Sequence, residues 1–227
     1  MIDQPIHEGA LPADEQAETA ARAEAIFREA GAYRDGHFKL KSGRHADRYI
    51  EKFQVLQWPA RVTELCRLMA DRARSPGGVT AIDVVIGPTT GGVILAYEVA
   101  RQLGVRGIFA EQVTAADGTT SRELRRGFEI RRGEKVLLVD DVVTTGGSLI
   151  EMVPLIEQHG GELVLAIVLV DRTGGLADVE SPVTHKTYPA EALWSLTLPT
   201  YEAGAETCPG CAAGTPLEAP GSTGLSA

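Results

Sequence analysis

The hydrophobic positions of this chain fall into short solid runs separated by stretches of mixed polarity. Segments 82–86, 136–139 and 163–170 are near-continuous apolar runs of strand length, the pattern of strands buried on both faces. Segment 106–110 reads as a further strand. Between them lie helical patterns: 14–30, stopped by Gly31; a helix opening on Pro59 and running to about Arg74; 93–103; and 149–159. Pro154 lies inside the last of these and is expected to kink it. Segment 36–53, GHFKLKSGRHADRYIEKF, alternates enough to predict two short strands around Ser42-Gly43. Polar residues 112–123 predict a loop, and 128–130 a return strand.

Strands alternating with helices of this length predict one α/β domain, a central parallel sheet flanked by helices on both faces. Ligands in such folds bind at the carboxyl ends of the strands. Three segments rich in small and polar residues fall there, 87–92, 140–148 and 171–175. Residues 1–13 are expected to be a disordered extension, 14–203 the single domain, and 204–227 an irregular tail rich in Gly, Pro and Ala.

Composition narrows the function classes. With 31 acidic against 22 basic residues the net charge is −9, which disfavours a nucleic-acid surface as the main function. No apolar run approaches a membrane span, and the N-terminus has neither the basic start nor the apolar core of a signal peptide. A cytoplasmic enzyme without a membrane partner is the reading. The three cysteines are too few for a disulfide framework. Cys66 sits among Val62, Leu65, Leu68 and Met69 at helical spacing and reads as core. Cys208-Pro-Gly-Cys211 is a C-x-x-C pair, but a zinc site needs two more ligands. The histidines, His7, His37, His45, His159 and His185, show no partner spacing, so a structural turn is the expectation there.

The most informative segment is VLLVDDVVTTGGS at 136–148. Two carboxylates, Asp140 and Asp141, end a buried strand, and Thr144-Thr145-Gly146-Gly147-Ser148 turns into a helix. Small residues at such a turn let backbone N–H groups and hydroxyls close on a phosphate, with the helix N-terminus adding partial positive charge. Two acids directly before the cup would repel a bare phosphate. They make sense for a ligand that also presents sugar hydroxyls or a metal. No Gly-Lys-Ser/Thr follows and no G-x-G-x-x-G opens a helix, which removes the Walker and dinucleotide motifs.

This segment resembles the phosphoribosyl pyrophosphate (PRPP) motif of the type I phosphoribosyltransferases. The order of LKSGR at 40–44, LQWP at 56–59, LRRGFEI at 124–130 and the C-terminal CPGC resembles a bacterial branch of the orotate phosphoribosyltransferases. The resemblance implies the type I fold with a small N-terminal hood at 36–53 and a mobile β-hairpin loop. It implies that Asp140 and Asp141 contact the ribose hydroxyls and that Val142, Val143, Thr144, Thr145, Gly146, Gly147 and Ser148 hold the 5-phosphate. Thr144, Arg172 and Lys41 would meet orotate, Lys41 also reaching PRPP. Thr89, Thr90 and Gly91 would form the diphosphate loop, where Gly91 stands in place of a lysine common in the family. Segment 112–121 has no Lys, Arg or His, so the charge of the catalytic loop would fall to Arg122, Arg125 and Arg126; Arg125 and Arg126 could equally flank the return strand.

The implied reaction makes orotidine 5'-monophosphate and pyrophosphate, a step of UMP synthesis. Magnesium would be held mainly by PRPP oxygens and water, with no direct side-chain ligation, and the enzyme would be a homodimer sharing its loop across the interface. A transferase for a purine or another base, and a non-catalytic PRPP-sensing regulator, are the alternatives.

Overall fold

The computed structural model describes residues 12–40, 42–74 and 81–220. A helix, α1 (Ala13–Glu29), leads into an antiparallel pair, β1 (Tyr33–Lys39) and β2 (His45–Ile50), joined by the turn expected at Ser42-Gly43. A single turn of helix, α2 (Phe53–Leu56), and the long α3 (Pro59–Arg74) follow. The main sheet is then built from β3 (Val84–Pro88), α4 (Gly91–Leu103), β4 (Arg106–Thr114), β5 (Thr120–Glu123), β6 (Lys135–Val143), α5 (Gly147–Gln158) and β7 (Glu162–Asp171). A small hairpin, β8 (Val179–Glu180) with β9 (Thr187–Tyr188), precedes β10 (Ala190–Ser195). The chain closes with β11 (Thr200–Tyr201) and the four-residue α6 (Pro209–Ala212).

The six-stranded sheet runs β10-β7-β6-β3-β4-β5, parallel throughout except for the antiparallel β4–β5 hairpin. Alternation along β6 explains its solid apolar run. Leu137 and Val139 enter the core under α1, α3 and α4, whereas Val136 and Leu138 enter the core under α5. In the first core Trp194 of β10 meets Phe27 and Tyr33 edge-on, at ring-centroid distances of 5.9 and 5.1 Å. These contacts fix the N-terminal segment against the sheet edge.

Several boundaries differ from the sequence reading. The strand expected at 128–130 does not form; the return strand is β5, because β4 continues to Thr114 and pairs Glu111 with Glu123 and Thr114 with Thr120. The polar loop is thereby reduced to a tip at 115–119, closed by Ala115 N–H donating to the Thr119 carbonyl at 2.8 Å. Helix α4 starts at Gly91, leaving Thr89-Thr90 as the whole of the loop expected over 87–92. Helix α5 carries Pro154 within one continuous span. The hydrogen bond that proline forgoes is the one to the carbonyl of Ile150, an exposed residue four positions back.

β11 pairs with β2, making the hood a three-stranded sheet, and in the segment expected to be irregular Glu218 bonds the backbone of His37 and Lys39. Of the disordered extension expected over residues 1–13, Pro12 caps α1 and Ala13 opens it; residues 1–11 and 221–227 lie outside the described residues. Among the described residues no helix is long and apolar enough to cross a membrane.

Candidate functional site

β6 delivers Asp140 and Asp141 at its carboxyl end, with only 5% and 2% of their surface exposed. Burial of two adjacent carboxylates has an electrostatic cost, visible on Asp140. Desolvation first, and the neighbouring Asp141 charge second, push Asp140 up to about 6. The Ser148 hydroxyl, the Asp141 backbone N–H and Lys52 act in the opposite direction. Lys52, just before α2, donates to Asp141 Oδ1 at 2.8 Å, and the Val142 N–H donates to the same oxygen. Asp141 Oδ2 is buried with no partner among the described residues.

Beyond the acids, Thr144 and Thr145 are exposed at the mouth of the turn. Gly146 takes φ +81°, a left-handed conformation that glycine adopts without steric cost, and α5 begins there with no side-chain cap. Its first N–H groups are therefore directed at whatever anion the turn holds. On the neighbouring strand, Gly91 begins α4 against Asp141. A Cβ at Gly91 would overlap the Asp141 carboxylate. That contact accounts for glycine here and brings the Thr89–Gly91 loop against the acids. The Thr89–Thr90 peptide is cis.

The three hairpin arginines separate. Arg122 is 8% exposed; it donates to Glu151 of α5 at 3.0 Å and reaches the Thr89 carbonyl at 3.5 Å. It thus sits between α5 and the Thr89–Gly91 loop. Arg125 and Arg126 are exposed and pair with Glu123 and Glu111, at 3.1 and 2.7 Å, away from that cluster. Arg172 follows β7, its N–H donating to the Val143 carbonyl at 2.8 Å, which places it beside the end of β6. Burial lowers the Arg172 guanidinium from its usual value, and Tyr49 of the hood opposes that shift. Its Nε is buried and unpartnered. A half-buried guanidinium with no carboxylate partner among the described residues is poised for an anionic ligand. Lys41 lies outside the described residues.

Lys52, Glu151 and Tyr49 were not singled out from the sequence. Lys52 meets Asp141 across 89 positions, so no local spacing marks the pair. The signal present was chemical: two buried acids at a strand end need a cation, and Lys52 ends the hood segment.

The comparisons with known proteins agree with this geometry. Residues 53–195 match the family model of the phosphoribosyl transferase domain. The chain is 42% identical over 197 residues to an orotate phosphoribosyltransferase of Caldicellulosiruptor saccharolyticus, covering 87% of this chain and 94% of that one. It is 45% identical over 198 residues to an orotate phosphoribosyltransferase of Pelotomaculum thermopropionicum, covering 87% and 95%. Among solved structures, the orotate phosphoribosyltransferase of Aeropyrum pernix superposes with a TM-score of 0.58 at 26% identity, over 77% of this chain and 93% of that one. An adenine phosphoribosyl transferase of Trypanosoma brucei reaches 0.55 at 17% identity, over 76% and 79%, a likeness of fold alone. The backbone is therefore shared across base specificities, and the sequence relatives narrow the choice: the chain belongs to the phosphoribosyltransferases and, within them, to the orotate phosphoribosyltransferase family.

Proposed function

We propose that this protein transfers the phosphoribosyl group of PRPP to orotate, giving orotidine 5'-monophosphate and pyrophosphate. The observation that carries the reading is the buried Asp140–Asp141 pair, with an unpartnered Asp141 oxygen, directly before an uncapped helix N-terminus. Acceptor-only carboxylates suit ribose hydroxyls, and the Thr144–Ser148 turn suits the 5-phosphate. The same acids fit the water shell of a magnesium ion carried in on PRPP, whose contribution is to neutralise the leaving diphosphate. Arg172, facing the hood at Tyr49, suits the orotate carboxylate.

In this mechanism the ring nitrogen of orotate bonds to the anomeric carbon as the bond to diphosphate breaks. The electron pair leaves with the diphosphate and the ring N–H proton is lost. The acids hold the ribose so that nitrogen, carbon and leaving oxygen align. The Thr89–Gly91 loop and Arg122 lie where the diphosphate would depart, and Arg122 supplies charge there. Arg125 and Arg126 reach the diphosphate only after the hairpin moves, since both are held by glutamates on the hairpin itself. The hood covers the base, and Lys41, expected from the resemblance to reach orotate and PRPP, is tested by substitution.

The enzyme acts as a homodimer in the cytoplasm, its hairpin serving the neighbouring site. Phe53, Trp58, Ile94 and Tyr97 support a second copy as partner, because they are exposed large apolar side chains on α2, the start of α3, and α4, close behind the diphosphate loop. A steady-state assay of pyrophosphate release with PRPP, magnesium and orotate tests the chemistry. Preference for hypoxanthine, xanthine or adenine would overturn the base assignment. Binding of PRPP without turnover of any base would overturn the enzymatic reading. Sedimentation equilibrium tests the dimer. Mixing an inactive Arg122/Arg125/Arg126 variant with an inactive Asp140/Asp141 variant tests the shared loop, because exchanged dimers should regain part of the activity.

A further inference from the structure

The fold brings together four metal-ligating side chains that the sequence leaves far apart, at the start of β2, whose other end leads to the Lys52 that meets Asp141. His37 of β1 and His45 of β2 meet Cys208 and Cys211, which bracket the first turn of α6. The ligand atoms of all four lie within 4.8 Å of one another, and three of the four residues are buried. His37 Nε2 lies 2.8 Å from His45 Nδ1, 3.4 Å from Cys208 Sγ and 3.6 Å from Cys211 Sγ; Cys211 Sγ lies 3.3 Å from His45 Nδ1. In a tetrahedral zinc site with bonds of about 2.0–2.3 Å, neighbouring ligand atoms stand roughly 3.3–3.8 Å apart. The cluster has nearly that size before any ion draws it into shape.

Local structure is arranged around this point. A register shift in the β1–β2 ladder between Asp35 and Phe38 lets consecutive residues His37 and Phe38 both be buried. Gly210, between the cysteines, packs against the His37 ring so closely that a Cβ would overlap it. His37 Nδ1 lies 2.8 Å from the Thr215 carbonyl. A carbonyl only accepts, so Nδ1 carries the hydrogen and Nε2 presents its lone pair to the cluster. A ligating histidine is oriented by such an outer partner.

We propose that His37, His45, Cys208 and Cys211 bind one zinc-class divalent ion with two neutral imidazoles and two thiolates. The donors are nitrogen and sulfur with no oxygen among them, which excludes the magnesium that accompanies PRPP and selects a soft or borderline metal. Four protein ligands close the coordination sphere, so the ion is structural. Two thiolates balance its charge, and no counterion is needed in the buried site. Its role follows from topology: it clips the segment after β11 to a hairpin 171 positions earlier, where β11 pairing, the Glu218 backbone bonds and the Arg34–Glu218 ion pair already converge. The ion fastens the C-terminal segment to the β1–β2 hairpin of the hood. It is independent of which base the enzyme uses.

The test uses the full chain, expressed with zinc, purified under reducing conditions and dialysed. Elemental analysis should find about one zinc per chain, and native thiol titration should find Cys208 and Cys211 unreactive until a chelator is added. Cobalt(II) added to the metal-free protein should give the visible absorption of a tetrahedral centre with thiolate charge-transfer bands. The Cys208→Ser/Cys211→Ser double variant should lose at least nine-tenths of the metal. Should that variant fail to fold, stoichiometry and the cobalt spectrum of the parent still decide the matter. Three results would overturn the proposal: less than a tenth of an equivalent of metal with no cobalt binding, a Cys208–Cys211 disulfide in protein purified from a reducing cytosol, or full zinc content in the folded double variant.

Discussion

The carboxyl end of β6 and the hood are built in opposite ways. At β6, thirteen consecutive residues supply the buried strand, the two acids, the phosphate turn and the start of α5. The hood is assembled from β1, β2, β11 and α6, pieces separated by some 150 residues of intervening domain. A site made from one loop depends on local geometry and survives loss of distant contacts. A site made from both ends of a chain depends on whatever fastens those ends. In the proposed reaction, chemistry at the anomeric carbon would belong to the first kind, and covering of the base to the second.

The largest expected effect breaks the local half. Asp140→Asn with Asp141→Asn should lower kcat/KM by roughly 10²–10³ or more, the scale for removing preorganised polar contacts to a transition state. Asp140→Asn alone should at the same time stabilise the ligand-free protein at pH 7.5. The sign follows from linkage. Asp140 is pushed up to about 6 from an ordinary 3.8, so the folded protein binds this proton more tightly than the unfolded chain. Stability is therefore lost as pH rises between those values, and the deficit persists above about pH 6. Removing the charge should recover on the order of 1–3 kcal/mol in a denaturant titration. Lower activity together with lower stability would contradict this account.

Arg172→Ala comes next and probes the seam between the halves. Leaving the orotate carboxylate unpaired should cost at least about 2 kcal/mol of orotate binding, with PRPP binding nearly unchanged by calorimetry. A uniform loss of both would place Arg172 in the PRPP site instead. Lys52→Met should have a moderate effect. Lys52 opposes the upward shift of Asp140, so the acid limb of the pH–rate profile should move to higher pH in the variant, while stability should fall by about 1–2 kcal/mol because Asp141, with a side chain only 3% exposed, loses its cation. The smallest effect is expected at Arg126→Ala. This exposed pair with Glu111 should contribute no more than about 0.5 kcal/mol to folding. A large fall in kcat without loss of stability would then identify Arg126 as a group that reaches the diphosphate when the hairpin closes.

What was legible in the sequence follows the same division. The strand at β6, the acids, the turn and the helix after it could be read because their order along the chain is their order in space. The start of α3 at Pro59 and the hood turn at Ser42-Gly43 were legible for the same reason. The return strand was misplaced because Phe128 and Ile130 are apolar for packing, Phe128 against Phe109 at 4.9 Å and Ile130 in the core under α5, and not for a ladder. Cross-strand pairing instead fell to the polar 120–123, a half-exposed edge where hydrophobic alternation gives no signal. Lys52 with Asp141, and the histidines with the C-x-x-C pair, are contacts between distant segments, which periodicity does not encode.

The contact between Gly91 and Asp141 ties two loops into one unit of sequence change. Any side chain introduced at position 91 requires the Asp141 carboxylate to turn away from its place, and a smaller residue at 141 would open room that position 91 alone could fill. Substitutions at the two sites should be non-additive. A side chain at position 91 therefore has to share its space with the second acid, so what the Thr89–Gly91 loop can carry is set in part from another strand.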